Sequence, residues 1–272
     1  MKYEHTTYQS SIRRIFDQFT AESILYQAFL LSIRRPFAPN FYIDSQFLLD
    51  IQDLLNSQIN THPSSSDVSP VLGATHLLYR FILDIINLHT ARESQRNDDA
   101  SRLKAEMRQW EARVLNKYTR ECSLEAEKSF YTNTLSLYIL AASLLLDWII
   151  ESPNAITPVE SAWFLDGTVP TRLDTDQYFD ETYRWQTARA LSILRQPGAC
   201  EIWSRCYLGT WPMLIFGYAV TADGDIMLIR DVLSYTKYRM GYGENQRILS
   251  ELEGIWSARG NIAPNAADNA VS

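Results

Sequence analysis

Along most of the chain, apolar residues recur three and four positions apart, the spacing that lines one face of a helix. This periodicity predicts helices over 7–33, 45–58, 70–88, 100–119, 123–150, 177–195, 199–221, 225–240 and 244–258. Strand signals are weak, because the β-branched runs sit inside longer helical patterns. Stop signals fall between the elements. Pro36 and Pro39 end the first helix. The run His62-Pro63-Ser64-Ser65-Ser66 reads as a loop, with Asp67 or Ser69 as N-cap ahead of Pro70. Gly241 and Gly243 close the penultimate helix. Two stretches read as irregular. The polar stretch 93–99 is expected to be a loop. The stretch 152–176 holds Pro153, Pro158, Gly167 and Pro170, and a break that long is often functional. Its Trp163, Phe164 and Leu165 are expected to pack back on the body. The fold class expected is all-α: a single multi-helix bundle over 1–260, with a flexible tail over 261–272.

Two of these helices carry a distinct pattern. The helix over 123–150 is apolar almost all round after Thr134, which marks a central helix. Its polar residues Asn133, Ser136, Ser143 and Asp147 fall on one stripe. On 70–88, His76, Arg80, Asp84 and Asn87 share a face in the same way. Each stripe has two readings. It faces water or pairs internally, as Arg80 and Asp84 can at i,i+4. Alternatively, it supplies the few polar anchors of a mostly apolar pocket.

Composition narrows the class. The 272 residues include 25 Lys+Arg and 32 Asp+Glu, a net charge of −7. An acidic chain without basic runs is a poor match to nucleic acid, so no direct nucleic-acid binding is expected. Hydrophobic residues at 46% and charged residues at 21% fit a globular core. Three scattered cysteines, Cys122, Cys200 and Cys206, suit a reducing compartment rather than a disulfide framework. Met1-Lys2-Tyr3-Glu4-His5 has no apolar signal region. The apolar runs 144–146 and 148–150 are split by Asp147, so no membrane span is expected. The expected location is intracellular and cytoplasmic.

The search for chemistry gives few motifs. His5, His62, His76 and His89 lie too far apart for a zinc pair, and Cys200 and Cys206 lack a ligand partner nearby. Neither a phosphate-binding glycine loop nor a serine nucleophile elbow occurs. Asn97 and Ser101, four apart, look like the second magnesium motif of class I terpene cyclases. Ala105 stands where the third ligand belongs, Glu106 is one residue off, and no aspartate-rich first motif exists. No metal and no cofactor is expected.

The most specific signal is near the C-terminal end. It comprises Trp211-Pro212-Met213-Leu214-Ile215-Phe216-Gly217-Tyr218-Ala219, then Ile229-Arg230, then Gly241-Tyr242-Gly243-Glu244-Asn245, then Leu252-Glu253-Gly254-Ile255-Trp256. This run resembles the C-terminal part of the fungal-specific transcription factor domain, the helical regulatory domain of zinc-cluster regulators. The resemblance implies an all-α fold. It carries over no site, since Pro212, Gly217, Trp211 and Trp256 suit packing roles. Tyr218-Ala219 replaces the Cys-Glu often found after that glycine in the family. The cysteine-rich zinc cluster and basic linker of such regulators have no counterpart here.

Three classes follow: a regulator working through partners, a small-molecule binder, and an enzyme derived from such a binder. With seven Trp, 15 Tyr and 11 Phe the chain can wall an aromatic cavity. The leading expectation is a stand-alone protein of fungal secondary metabolism. It would be a cofactor-free, pericyclase-like cyclase or isomerase, shaping an apolar terpenoid or polyketide metabolite. Arg80 or His76 would polarise a substrate carbonyl, with Asp84 or Asp147 orienting that donor. Tyr138, Ser143, Trp148 and Trp211 would bind the substrate. The alternative is a transcriptional regulator or co-regulator without its DNA-reading module, located in the nucleus. A second copy or another protein chain is left open as partner.

Overall fold

The computed structural model describes residues 2–34, 44–59, 76–88, 93–118, 126–151, 184–203, 210–240 and 243–259; its helices follow most of the expected periodicity, but the helix expected over 177–195 begins only at Trp185, because Arg184 before it is extended (φ −60°, ψ 146°). Among the described residues 93% are helical and none is strand, so the fold is all-α. In order the helices are α1 (Lys2–Arg34), α2 (Ser45–Ile59), α3 (His76–Leu88), α4 (Glu93–Tyr118) and α5 (Ala126–Glu151). After them come α6 (Trp185–Leu194), α7 (Ala199–Trp203), α8 (Thr210–Ala219), α9 (Asp223–Met240) and α10 (Gly243–Ala258). The loop at 62–66, the break at 152–176 and the tail at 261–272 lie outside the described residues.

Two further expectations change. The stretch 93–99 is not a loop but the first turns of α4. Its residues are polar, yet none is Gly or Pro, and polarity alone does not stop a helix. Arg96 Nε reaches back to the carbonyl of Leu88, and Ser101 Oγ donates to the carbonyl of Asn97. The second change concerns 133–151. This stretch is long and apolar enough to cross a bilayer by length and composition, which the count of unbroken apolar runs did not register. In this fold 72% of it is buried inside the protein, as a central helix requires.

The chain forms two compact units, Met1–Leu103 and Lys104–Ser272, and the division falls within α4. In the first unit α1 packs on α2 and α3, and α2 on α3. Ala21, Leu25, Ala28 and Phe29 of α1 are buried, as are Leu48, Ile51 and Leu55 of α2. The Phe29 ring meets Tyr79 of α3 edge-on, with centroids 4.8 Å apart.

In the second unit α5 packs on α6, α7 and α8, and α8 packs on α9 and α10. Helix α8 is buried at every position but Tyr218. Pro212 sits in its first turn, where a missing N–H costs nothing. Asp223 and Asp225 open α9, where the helix dipole favours negative charge. Buried Asp225 also pairs with Arg195. The turn between α6 and α7 uses Gly198 at φ 76°, a left-handed conformation that side chains resist.

The residues that carried the resemblance join at one place. Trp256 Nε1 donates to the carbonyl of Gly217 at 2.9 Å. Arg259 donates from both terminal nitrogens to the carbonyl of Tyr218, at 3.1 Å each. Arg230 lies over the Trp256 ring, 5.6 Å from its centroid, and pairs with Glu253 at 3.1 Å. A Cβ on Gly217 would stand 2.3 Å from Leu252 Cδ1 and 2.7 Å from Cδ2. Leu252 is fully buried, so its side chain would have to shift within a packed core. Gly217→Ala is therefore expected to cost about 1–3 kcal/mol, read as a lowered midpoint in urea unfolding. Gly217→Ala combined with Leu252→Ala should cost less than the sum of the two single changes, because the second removes the clash made by the first. Strict additivity would show that the two residues do not compete for this space.

Candidate functional site

The first-unit stripe starts from spacing. His76, Arg80 and Asp84 are successive fours on α3 and share one face. Arg80 Nε donates to Asp84 Oδ1 at 3.0 Å. The two side chains keep only 18% and 23% of their exposure, so the pair is less screened than a surface ion pair. Burial pushes the Asp84 carboxyl up, and the Arg80 guanidinium pulls it back. Arg102 of α4 acts with Arg80, and Asp99 acts against it. His76 is buried, which lowers its pKa, while the Glu22 carboxylate of α1 works in the opposite sense. The imidazole is thus mainly neutral near pH 7. Glu22 is 2% exposed and accepts from Gln18 Nε2 at 2.9 Å.

The second-unit stripe faces α6. Gln186 Nε2 donates to Asp147 Oδ2 at 2.7 Å and to Ser143 Oγ at 3.2 Å. Ser143 Oγ in turn donates to Glu111 Oε1 of α4 at 2.8 Å. Three helices are joined by one chain of hydrogen bonds. Arg189 of α6 adds a bond to the carbonyl of Leu115 on α4. Gln186 is 1% exposed, and its Oε1 has no hydrogen-bond partner.

Tyr138 and Trp211 meet elsewhere. Their rings stand 5.6 Å apart at 30°, and both side chains are buried between α5 and α8. Tyr138 precedes Ser143 by five residues, about 140° round the helix. The aromatic pair and the polar stripe therefore occupy different sides of α5. Trp148, next to Asp147, is half-buried. The eight expected residues are thus distributed. His76, Arg80 and Asp84 form a stripe in the first unit. In the second unit Ser143 and Asp147 share one network, while Tyr138 and Trp211 share an aromatic contact on another side.

Gln186, Glu111 and Glu22 were not anticipated. One signal existed for Gln186: it is a polar residue on the apolar face of α6, beside Ala190, Leu191 and Leu194. A buried amide needs a partner on a neighbouring helix. Ser101 Oγ donates to the Asn97 carbonyl, and Asp99 pairs with Arg102 at 3.6 Å. Among the described residues no group of three or more His, Cys, Asp or Glu could hold a metal ion. The half-buried Cys200 thiol is pushed up by burial and then by Asp231. Comparison with protein-family models, curated proteins and solved structures finds no match to this chain.

The His76 shift gives a signed expectation. The folded state holds the imidazole below its unfolded value of about 6.5. Between those two values the unfolded chain binds the proton and the folded chain does not. The contribution is fully present above about pH 6.5 and is lost as pH falls towards the folded value. Asp84, raised, has the opposite sign, in the window just above the ordinary carboxylate range. Urea midpoints from pH 7.5 down to 5.5 should fall for the wild type and flatten in His76→Gln. An unchanged slope in that variant would assign the pH dependence to other groups.

Proposed function

We propose that this chain is a helical regulatory domain of the zinc-cluster-regulator kind, acting through a protein partner and located in the nucleus. One observation carries the reading. The residues of the resemblance, Trp211, Gly217, Arg230 and Trp256, do packing work in a single unit, with Trp256 bonded to Gly217 and stacked under Arg230. The groups best suited to acid–base chemistry support it as well. The Arg80 Nε–H, the Ser143 hydroxyl proton and Asp147 Oδ2 are spent on other side chains of the protein, while the buried Arg80 Nη1 has no hydrogen-bond partner among the described residues. The acidic balance, −7 over the whole chain, favours a protein partner over direct contact with nucleic acid.

A second reading rests on Gln186 Oε1, a buried acceptor without a partner in the Ser143–Asp147 network. In that reading the second unit binds an apolar metabolite and acts as a cofactor-free cyclase or isomerase.

The first reading is tested by tethering the chain to an unrelated DNA-binding module and measuring transcription of a reporter. The expected outcome is a change of several-fold, lost in Trp256→Ala, which removes one of the bonds between α10 and α8. Unchanged transcription from a fusion present at normal level would sink the regulatory reading. A native mass spectrum showing an apolar metabolite bound to the purified chain, or converted without change of mass, would then favour the second.

A further inference from the structure

We propose that the junction of α4, α5 and α6 in the second unit binds a primary ammonium group, held by Glu111, Asp147 and Gln186 Oε1. The direction of each proton at this junction follows from its partners. Gln186 meets Asp147 Oδ2 at 2.7 Å. An ionised carboxylate only accepts, so the amide nitrogen faces it and the amide oxygen does not. The other proton of that nitrogen goes to Ser143 Oγ at 3.2 Å. Ser143 sends its own proton to Glu111 Oε1 at 2.8 Å. Every proton of these side chains is spent inside the network. Only acceptors remain to meet a ligand.

One of those acceptors is buried. Gln186 is 1% exposed, and its Oε1 has no hydrogen-bond partner. That oxygen shares a planar amide with the nitrogen bonded to Asp147 and Ser143, so it lies at the edge of the same network. An unmet oxygen in a protein interior carries its full desolvation penalty, which a donor from a ligand would relieve.

Charge selects the ligand. Glu111 and Asp147 are half-buried, and among the described residues neither forms an ion pair with a cation. Arg189 of α6, three residues beyond Gln186, donates to the carbonyl of Leu115 instead. Two uncompensated carboxylates repel an anion, and a set of acceptors offers nothing to a carbonyl. A primary ammonium has one positive charge and three N–H donors, one each for Glu111, Asp147 and Gln186 Oε1. Charge-assisted bonds of this kind are the strong ones. A metal ion is the poorer match, because among the described residues no group of three or more His, Cys, Asp or Glu could hold one. The half-buried carboxylates leave the carbon substituent of the nitrogen a way out to solvent. This chemistry is independent of the regulatory reading, and a silent reporter would leave it standing.

Calorimetric titration of the full chain with n-butylammonium chloride, at about 0.15 M salt to screen general attraction to an acidic protein, tests this. Saturable one-site binding is expected. Tetramethylammonium has the same charge and no N–H, and should bind at least about ten-fold more weakly. Glu111→Gln with Asp147→Asn keeps the shape, removes both charges and should lose at least about ten-fold in affinity. Gln186→Met deletes the buried acceptor and should weaken binding in the same direction. Circular dichroism reports whether each variant folds; if one does not, the two wild-type titrations still decide. Tighter binding of N-acetyl-lysine amide than of n-butylammonium would assign the ammonium to a lysine of another chain, and the reverse to a free amine. Three results would overturn the proposal. They are no saturable binding of n-butylammonium, equal binding of tetramethylammonium, or unchanged affinity in either folded variant.

Discussion

The last turn of α8 imposes the constraint on which the second unit depends. A helix leaves its final carbonyls without donors from its own backbone. Helix α8 is buried, so water cannot supply them, and each orphan would cost about 1–3 kcal/mol. Phe216 still receives the N–H of Val220. The carbonyls of Gly217 and Tyr218 receive side chains of α10, Trp256 and Arg259. Helix α10 must therefore cross the end of α8 in one register. Leu252, Trp256 and Arg259 are spaced by four and three, so they project from one face of α10. The glycine at 217 follows from the same crossing, because a side chain there would occupy the space of Leu252. Gly217 and, well downstream of it, Leu252, Trp256 and Arg259 are thus fixed by one geometric requirement.

The need to pair buried polar groups also explains the stripe on α5. A helix that is apolar nearly all round can satisfy its burial at many rotations about its axis. Ser143 and Asp147 remove that freedom, since only one rotation presents them to Gln186 and Glu111. Buried polar contacts of this kind add little net stability but penalise alternatives strongly. The Arg247 side chain does comparable work within α10 and at its junction with α8. It bonds Glu244 and Glu251, and Glu251 accepts from the Tyr218 hydroxyl. Burial, and then the Glu251 carboxylate, push that phenol well above its usual range, so it stays a donor.

The legible part of the fold was the part written in local periodicity. Helix positions, the central character of α5 and the Arg80–Asp84 pair depend on residues within one or two turns of each other. The start of α4 is not legible in this way, because its polar residues lack an apolar face and yet tolerate a helix. The expected helix over 199–221 is described as α7 ending at Trp203 and α8 beginning at Thr210, with 204–209 outside the described residues. The stripe residues Ser143 and Asp147 were identified, but their partners were not. Gln186 lies 43 residues from Ser143, and Glu111 lies 32 away. No periodic signal in a single sequence reports a contact over that distance. Tyr138 and Ser143 are expected to bind one substrate, whereas five residues of helix turn them apart.

This geometry bears on where activity can reside. A general acid needs a proton aimed at a substrate, and a stabilising donor needs an N–H or O–H aimed at developing charge. The Ser143 proton is aimed at Glu111 and the Arg80 Nε–H at Asp84. Redirecting either towards a ligand would break a half-buried bond that also holds helices or charges in place, so binding would have to offset that loss before any chemistry began. The described surface carries no such debt. Exposed apolar side chains are concentrated on α1 and α2, with Ile15, Phe16, Phe19, Phe47, Leu49 and Leu54 each at least 40% accessible. Covering them gains free energy without first breaking an internal hydrogen bond. Covering these side chains therefore costs less than redirecting the Ser143 hydroxyl or the Arg80 Nε–H.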